Sequence, residues 1–271
     1  MVTQNCLQNK VCKKDLTTTD HVYRFNAVSY IVCILIFAAM AISGAISFYT
    51  VALGLVFGVI TALSNYYKMR ALSVGPMHIT LLITTASMII PTMSGVFFGE
   101  EFSFPKLFAV LVLLFFIYLS LDNGSGGGRI NKKWFIYCLF AFVFAGSIGV
   151  LQKVHQSSEH RSEIGAFLCV AFICSLVYSA ICSRKSFGVL RLSRKQIIFA
   201  LVCGLCTFLM NYLNLKLSGL IPSQLFFPLI NGSTIVLSSL LSVAVFKERL
   251  NKKQIIGLCG GILSLIAICL V

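Results

Sequence analysis

The sequence predicts an all-α integral membrane protein of nine transmembrane helices, arranged as two inverted repeats of which the first lacks its opening helix. Three observations carry that prediction. Of 271 residues, 58% are hydrophobic and only 11% charged; the apolar residues fall in long runs; and a pattern of polar residues in the first half returns in the second.

Each element follows from the bilayer as a solvent. A helix needs about 20 consecutive, mostly apolar residues to cross the hydrocarbon core, and about 17 at the short end. Segments 27–49, 51–67, 76–98, 105–121, 134–154, 164–183, 196–217, 222–246 and 254–271 meet that requirement. Backbone groups in lipid must be satisfied within their own segment and no alternating barrel pattern appears, so the spans are helical. Residues before 27 lack the basic, apolar and small-residue regions of a cleaved signal, which leaves the first span to direct insertion. The connections are too short for a soluble domain. Three units result: a first repeat over 1–121, a polar tail plus four spans; a linker over 122–133; and a second repeat of five spans over 134–271. The linker, DNGSGGGRINKK, is flexible by composition, and its glycines lack the Gly-Lys-Ser/Thr ending of a phosphate-cradling loop.

The net charge of +14 raises nucleic-acid binding, and its distribution excludes it. With the tail on one side, alternate loops collect eighteen Lys and Arg residues, among them Lys13, Lys14, Lys132, Lys133, Arg191 and Arg194. The opposite side holds four, Lys106, Lys153, Arg161 and Lys216. Such asymmetry orients a multi-pass protein in the cell membrane with its N-terminus cytoplasmic and, after nine spans, its C-terminus outside. The basic loops then face anionic lipid heads. Nine of eleven cysteines lie within spans, so they form no disulfide framework. Cys203 and Cys206 have neither a second pair nor a nearby His to make a metal site. No cofactor is implied.

The repeat is explicit. Asn65, Tyr66, Arg70 and Pro76 recur without gaps as Asn211, Tyr212, Lys216 and Pro222. Phe98, Glu100 and Phe102 recur as Phe246, Glu248 and Leu250, and Leu7, Gln8, Lys10 and Val11 match Leu151, Gln152, Lys153 and Val154 with one insertion. The offsets drift in order through 144, 146 and 148, and the polar tail aligns with the end of the second copy's opening helix. A unit with an odd number of spans must place its two copies in opposite orientation, the plan of many secondary transporters.

The stretches NYYKMRALSVGP followed by GEEFSFPKLFAV, and NYLNLKLSGLIP followed by FKERLNKKQIIGLCGG, resemble the EamA-type repeat of the drug/metabolite transporter superfamily. The resemblance implies ten helices in two inverted repeats of five. It also implies a central solute pocket and exchange between inward-open and outward-open states. The absent first helix, which normally helps line the pocket, is this sequence's departure from the pattern.

Polar residues well inside spans mark candidate sites, because each costs free energy unless it faces a cavity or a partner helix. Asn65, Tyr66, Asn211 and Tyr212 come first, since they recur at equivalent places in both halves. Thr84, Thr85 and Ser87 occupy the middle of the third segment, and Asn231, Ser233 and Thr234 are their offset counterparts. Carboxamides and hydroxyls supply donors and acceptors without charge, which suits a polar uncharged or zwitterionic solute; the same groups also serve as interhelical glue. Gln152, Lys153 and Lys216 end their segments, where a cation snorkels to the interface, and His78 begins one. The small-xxx-small pairs Gly54/Gly58, Ala145/Gly149 and Gly257/Gly261 serve packing within the chain or a homodimer seam through the last helix.

No Asp or Glu lies in mid-span, which argues against proton-driven export of cationic drugs on a buried carboxylate. Glu100 and Glu101 form a pair, but histidines at metal-ligating helical spacing are absent, so no enzymatic reading follows. The sequence therefore reads as a facilitator, exporter or exchanger of a small polar metabolite. The alternative is a non-transporting member of the family or a subunit whose pocket is completed by another membrane chain.

Overall fold

The computed structural model of the protein describes residues 19–42, 44, 46–75, 77–101, 103–120, 132–182, 193–246 and 252–270. Every regular element among them is helical: α1 (Thr19–Ala41), α2 (Phe48–Val74), α3 (Met77–Ala86), α4 (Ile89–Ser94) with a 3₁₀ turn over Gly95–Phe98, α5 (Phe104–Ser120), α6 (Lys132–Gln156), α7 (Ile164–Cys182), α8 (Arg194–Ser218), α9 (Ser223–Phe246) and α10 (Lys252–Leu270). Five helices are long and apolar enough to cross a membrane, over Arg24–Ala41, Phe48–Val74, Lys132–Gln156, Ile164–Cys182 and Arg194–Ser218. Shorter apolar stretches run over Ile83–Phe98, Phe104–Leu119 and Ile255–Leu270. The tail before 19, nearly all of the linker, Glu248 and the side chain of His78 lie outside the described residues.

Capping, invisible to hydropathy, moves several boundaries. The first span begins at Thr19 rather than 27 and stops at Ala41 rather than 49, because Ser47 starts a new helix by accepting the Thr50 amide on its hydroxyl at 3.2 Å. Ile42 and Ile46, apolar residues that hydropathy assigns to the span, are exposed in the connection. At its other end α2 runs on through Tyr66, Lys68 and Arg70 to Val74, with the Arg70 guanidinium 5.7 Å from the centre of the Tyr137 ring on α6. Gly75 ends it where a Cβ would collide with the Trp134 indole. α8 opens on a capping box, in which Gln196 donates its amide to Ser193 Oγ at 3.3 Å and accepts the Ser193 amide on its side chain at 2.8 Å.

The third predicted segment is broken. Met88 donates its amide to the Thr85 carbonyl and Ile90 to that of Ser87, both at 3.1 Å, so α3 and α4 meet at a tightened turn. The span ends at Gly99, whose φ of 78° lies in the left-handed region open to glycine.

α1 packs along α7 and α8, α2 along α6 and α7, α5 along α10, and α4 against α9. Close approach depends on small residues: a Cβ on Gly58 would strike the Ala171 carbonyl and come within 2.7 Å of Cys174 Cβ on α7. Two apolar clusters anchor the bundle. Tyr30, Phe37, Phe57, Phe167 and Phe172 unite α1, α2 and α7, while Leu113, Ile117, Phe226, Phe227 and Ile268 unite α5, α9 and α10. Large apolar side chains also cover the outside: on α5, Phe108, Leu111, Phe115 and Tyr118 form one exposed stripe at helical spacing, suited to hydrocarbon rather than water.

Candidate solute cavity

Between the two clusters lies a cavity of about 240 Å³, lined from α2, α3, α4, α6, α8 and α9. Its α2 wall carries Thr61, Ser64, Asn65 and Lys68, and its α8 wall Thr207, Met210, Asn211 and Asn214. Within each wall these positions fall at i, i+3, i+4 and i+7, one helical face, and each α8 position follows its α2 counterpart by the same 146 residues that separate Asn65 from Asn211. The broken span contributes Thr84, Thr85, Ser87, Met88 and Pro91, and α9 contributes Phe227, Asn231 and Thr234.

The structure thus brings Asn65, Thr84, Thr85, Asn211, Asn231 and Thr234 to one cavity and leaves Tyr66 and Tyr212 outside its lining. Adjacent residues on a helix point about 100° apart, so a wall that presents the asparagine turns the tyrosine to the flank. Tyr66 meets the Tyr67 ring edge-on at 5.2 Å, and Tyr212 stacks on Phe208 at 6.2 Å with Lys216 Nζ 6.0 Å from its ring centre. Thr61, Ser64, Lys68, Thr207 and Asn214 were legible only by following the repeat along the helical face instead of to the neighbouring residue.

Among the described residues, Asn65 is the cavity asparagine that bonds another helix, donating to the Tyr30 hydroxyl at 2.9 Å. Asn211 donates to the Thr207 carbonyl and Asn231 to the Phe227 carbonyl, each at 2.9 Å and within its own helix. Interhelical glue therefore describes Asn65 and not the other two. The Thr61 hydroxyl is buried on the lining with no protein partner among the described residues.

An ion pair joins the elements at one end of the cavity, beyond Gln152. Lys153, whose place at a segment end suggested a cation snorkelling to the interface, is buried within the protein, with Nζ 2.5 Å from Glu100 Oε1 and donating to the Ser218 carbonyl at 3.1 Å. Glu100 also accepts the Ser223 amide at 2.7 Å and its hydroxyl at 3.0 Å, so the carboxylate sits on the N-terminus of α9, where the helix dipole favours negative charge. One network thus holds together the end of the third span, the ends of α6 and α8 and the start of α9. At the same end Glu163 accepts the Ser47 amide at 2.8 Å and hydroxyl at 2.9 Å, with His160 Nδ1 at 3.1 Å. Desolvation raises its pKa, but the hydrogen bonds from Ser47, Thr50 and His160 outweigh that and hold it at about 2.

Among the described residues no group of His, Cys, Asp and Glu could hold a metal ion. No curated protein matches the chain. A solved structure described only as "Crystal structure of protein" superposes with a TM-score of 0.75 at 16% identity, covering 99% of this chain and 96% of that one, a likeness of fold. The sequence model of the EamA-like transporter family matches residues 132–270, which hold α6 to α10 and so half of the cavity's walls. This protein belongs to the EamA-like transporter family.

Proposed function

We propose that this protein carries a small polar solute across the cell membrane by alternating access around the cavity between its two halves. The observation that carries the reading is the matched pair of polar walls, Thr61–Asn65–Lys68 on α2 and Thr207–Asn211–Asn214 on α8, facing one cavity from equivalent positions of the repeat. Two inverted repeats with nine spans account for that equivalence. They also account for the pairing of α4 with α9 and of α5 with α10, and for the way α8 lies along α1 as α2 lies along α7. In this register the Glu100–Lys153 network closes the outer end of the cavity, and Lys68 stands toward the cytoplasm. Exchange between states then requires that network to open.

A second reading, a subunit completed by another membrane chain, has one observation in its favour. On α2, Tyr67 packs against Tyr137, Phe140 and Phe144 of α6, whereas its counterpart on α8, Leu213, is exposed. Flux measured in vesicles holding only the purified protein, with a panel of amino acids, sugars and nucleosides, separates the readings. Saturable uptake of a panel member supports transport by this chain alone. Uptake that appears only when a second membrane protein is co-reconstituted supports the subunit.

A further inference from the structure

The third predicted segment changes character at its break. Its first half, α3, is fastened to α6, where the Trp134 indole donates from Nε1 to the buried Thr80 hydroxyl at 2.9 Å. Its second half, α4, meets α6 over glycine. A Cβ on Gly146 would collide with the Ile90 side chain, and one on Gly149 would lie 2.8 Å from Pro91 and 3.0 Å from Phe227 of α9. Glycine contacts of this kind bring helices close without interlocking side chains.

Two prolines stand at that level. Pro91 has no N–H for the Ser87 carbonyl, which takes the Ile90 amide at 3.1 Å instead, and this tightened turn separates α3 from α4. In α9, Pro228 likewise leaves the Gln224 carbonyl without its regular helical donor. Because Pro91 and Phe227, the neighbour of Pro228, both touch Gly149, the two weakened points face the same position on α6. Prolines are the commonest bending points of helices.

Beyond these points, hydrogen bonds sort the elements into two groups. Three bonds join the end of the third segment to the first turn of α9: Ser223 gives Glu100 its amide at 2.7 Å and its hydroxyl at 3.0 Å, and Ser103 gives Gln224 Oε1 its amide at 3.2 Å. On the other side, Lys153 of α6 donates to the Ser218 carbonyl at the end of α8. Among the described residues one polar link joins the two groups, the Glu100–Lys153 pair. The closed arrangement also leaves Gln224 Nε2 buried with no partner among the described residues, an unmet donor that water entering a parted seam would satisfy.

We infer that this end of the cavity opens along the Glu100–Lys153 pair, with α4, its 3₁₀ turn and the first turn of α9 swinging together away from α6 about Pro91 and Pro228 while α3 stays fastened; this rests on the transport reading above. Ser87 to Phe97 spans ten residues, a lever of about 15 Å. A swing of about 20° about a kink then carries Phe97 by about 5 Å.

Spin labels on Phe97→Cys, 88% exposed in the 3₁₀ turn, and on Ser157→Cys, exposed just past α6, read that distance in the full-length protein, otherwise free of cysteine, in lipid vesicles without solute. Lys153→Met is expected to raise the ratio of long to short distances by about tenfold or more, since it leaves a buried charge without its partner. Adding Pro91→Ala or Pro228→Ala, each of which restores a helical N–H, is expected to bring the short distance back. An unchanged distance in Lys153→Met overturns the inference. So does lengthening that survives either proline substitution, the sign of a whole helix moving. Should Lys153→Met misfold, Gly95→Ala decides in its place, because it sets a Cβ against the Glu100 carboxylate and alters no charge. Flux of the amino acid, sugar and nucleoside panel is measured alongside. An unchanged distance in a protein that carries a panel member overturns the hinge alone, whereas an unchanged distance with no flux takes the transport reading with it.

Discussion

Asn211 is the residue at which site and scaffold separate most cleanly. Its amide bonds its own helix at Thr207, so replacement by Ala breaks no interhelical hydrogen bond among the described residues, yet it removes from the cavity a hydrogen-bonding group worth about 0.5 to 1.5 kcal/mol. Asn211→Ala should weaken solute affinity by about two- to tenfold and leave the melting temperature in detergent nearly unchanged. A clearly lowered melting point with normal flux per folded molecule would assign the residue to packing. Glu163 tests the opposite role. Its carboxylate, held at about 2, contributes stability that is complete above the ordinary carboxylate range and is lost as pH falls from there toward about 2. Glu163→Gln should therefore melt lower than the unaltered protein at neutral pH, and the difference should shrink through that acid window; a gap that stays constant down to low pH would contradict the assignment. At this scale the sequence identified residue types and the repeat but not which way each side chain points. Asn65 and Tyr66 are neighbours in sequence and about 100° apart on the helix, so pairing them captured one lining residue and one flank residue.

At the scale of elements, hydropathy located helical segments in approximate register and missed what local hydrogen bonding decides. The Ser47 cap, the mid-span turn at Ser87 and Met88 and the burial of Lys153 all depend on specific partners, and Glu100 reaches Lys153 from a separate helix end. Removing one partner of a buried pair leaves an uncompensated charge, which costs about 3 to 5 kcal/mol in the state that buries it. Lys153→Met should accordingly disfavour the closed arrangement of this end, and a cysteine placed at Gln152 should then react faster with a membrane-impermeant thiol reagent. An unchanged rate would show that the pair is not what closes the cavity. The α2–α7 seam makes a separate prediction. Gly58 touches the Ala171 carbonyl, a backbone atom that cannot move aside, so Gly58→Leu should destabilise by about 1 to 3 kcal/mol or more, read as a lower melting temperature. Unaltered melting would mean that the seam is looser than its geometry.

For the whole molecule, the all-helical membrane fold was legible in the long apolar runs, and a residue pattern that recurs at a steady offset marks helix faces as well as segments. Thr61, Ser64, Asn65 and Lys68 on one helix and Thr207, Met210, Asn211 and Asn214 on the other meet at one cavity because both faces obey that offset. Side-chain direction within the broken span was not legible, since its turn interrupts the helical period. The eighteen-to-four division of basic residues predicts a cytoplasmic N-terminus and an external C-terminus. A tag after Val271 should be reached by an impermeant reagent from outside intact cells, and labelling confined to the cytoplasmic face would reverse the orientation. The central claim, that solute passes through this cavity, is tested most directly by a single cysteine at Thr84 in a protein otherwise free of cysteine, modified with a bulky thiol reagent during flux. Transport should fall in step with labelling and the solute should protect the site; full labelling with undiminished transport would contradict the account.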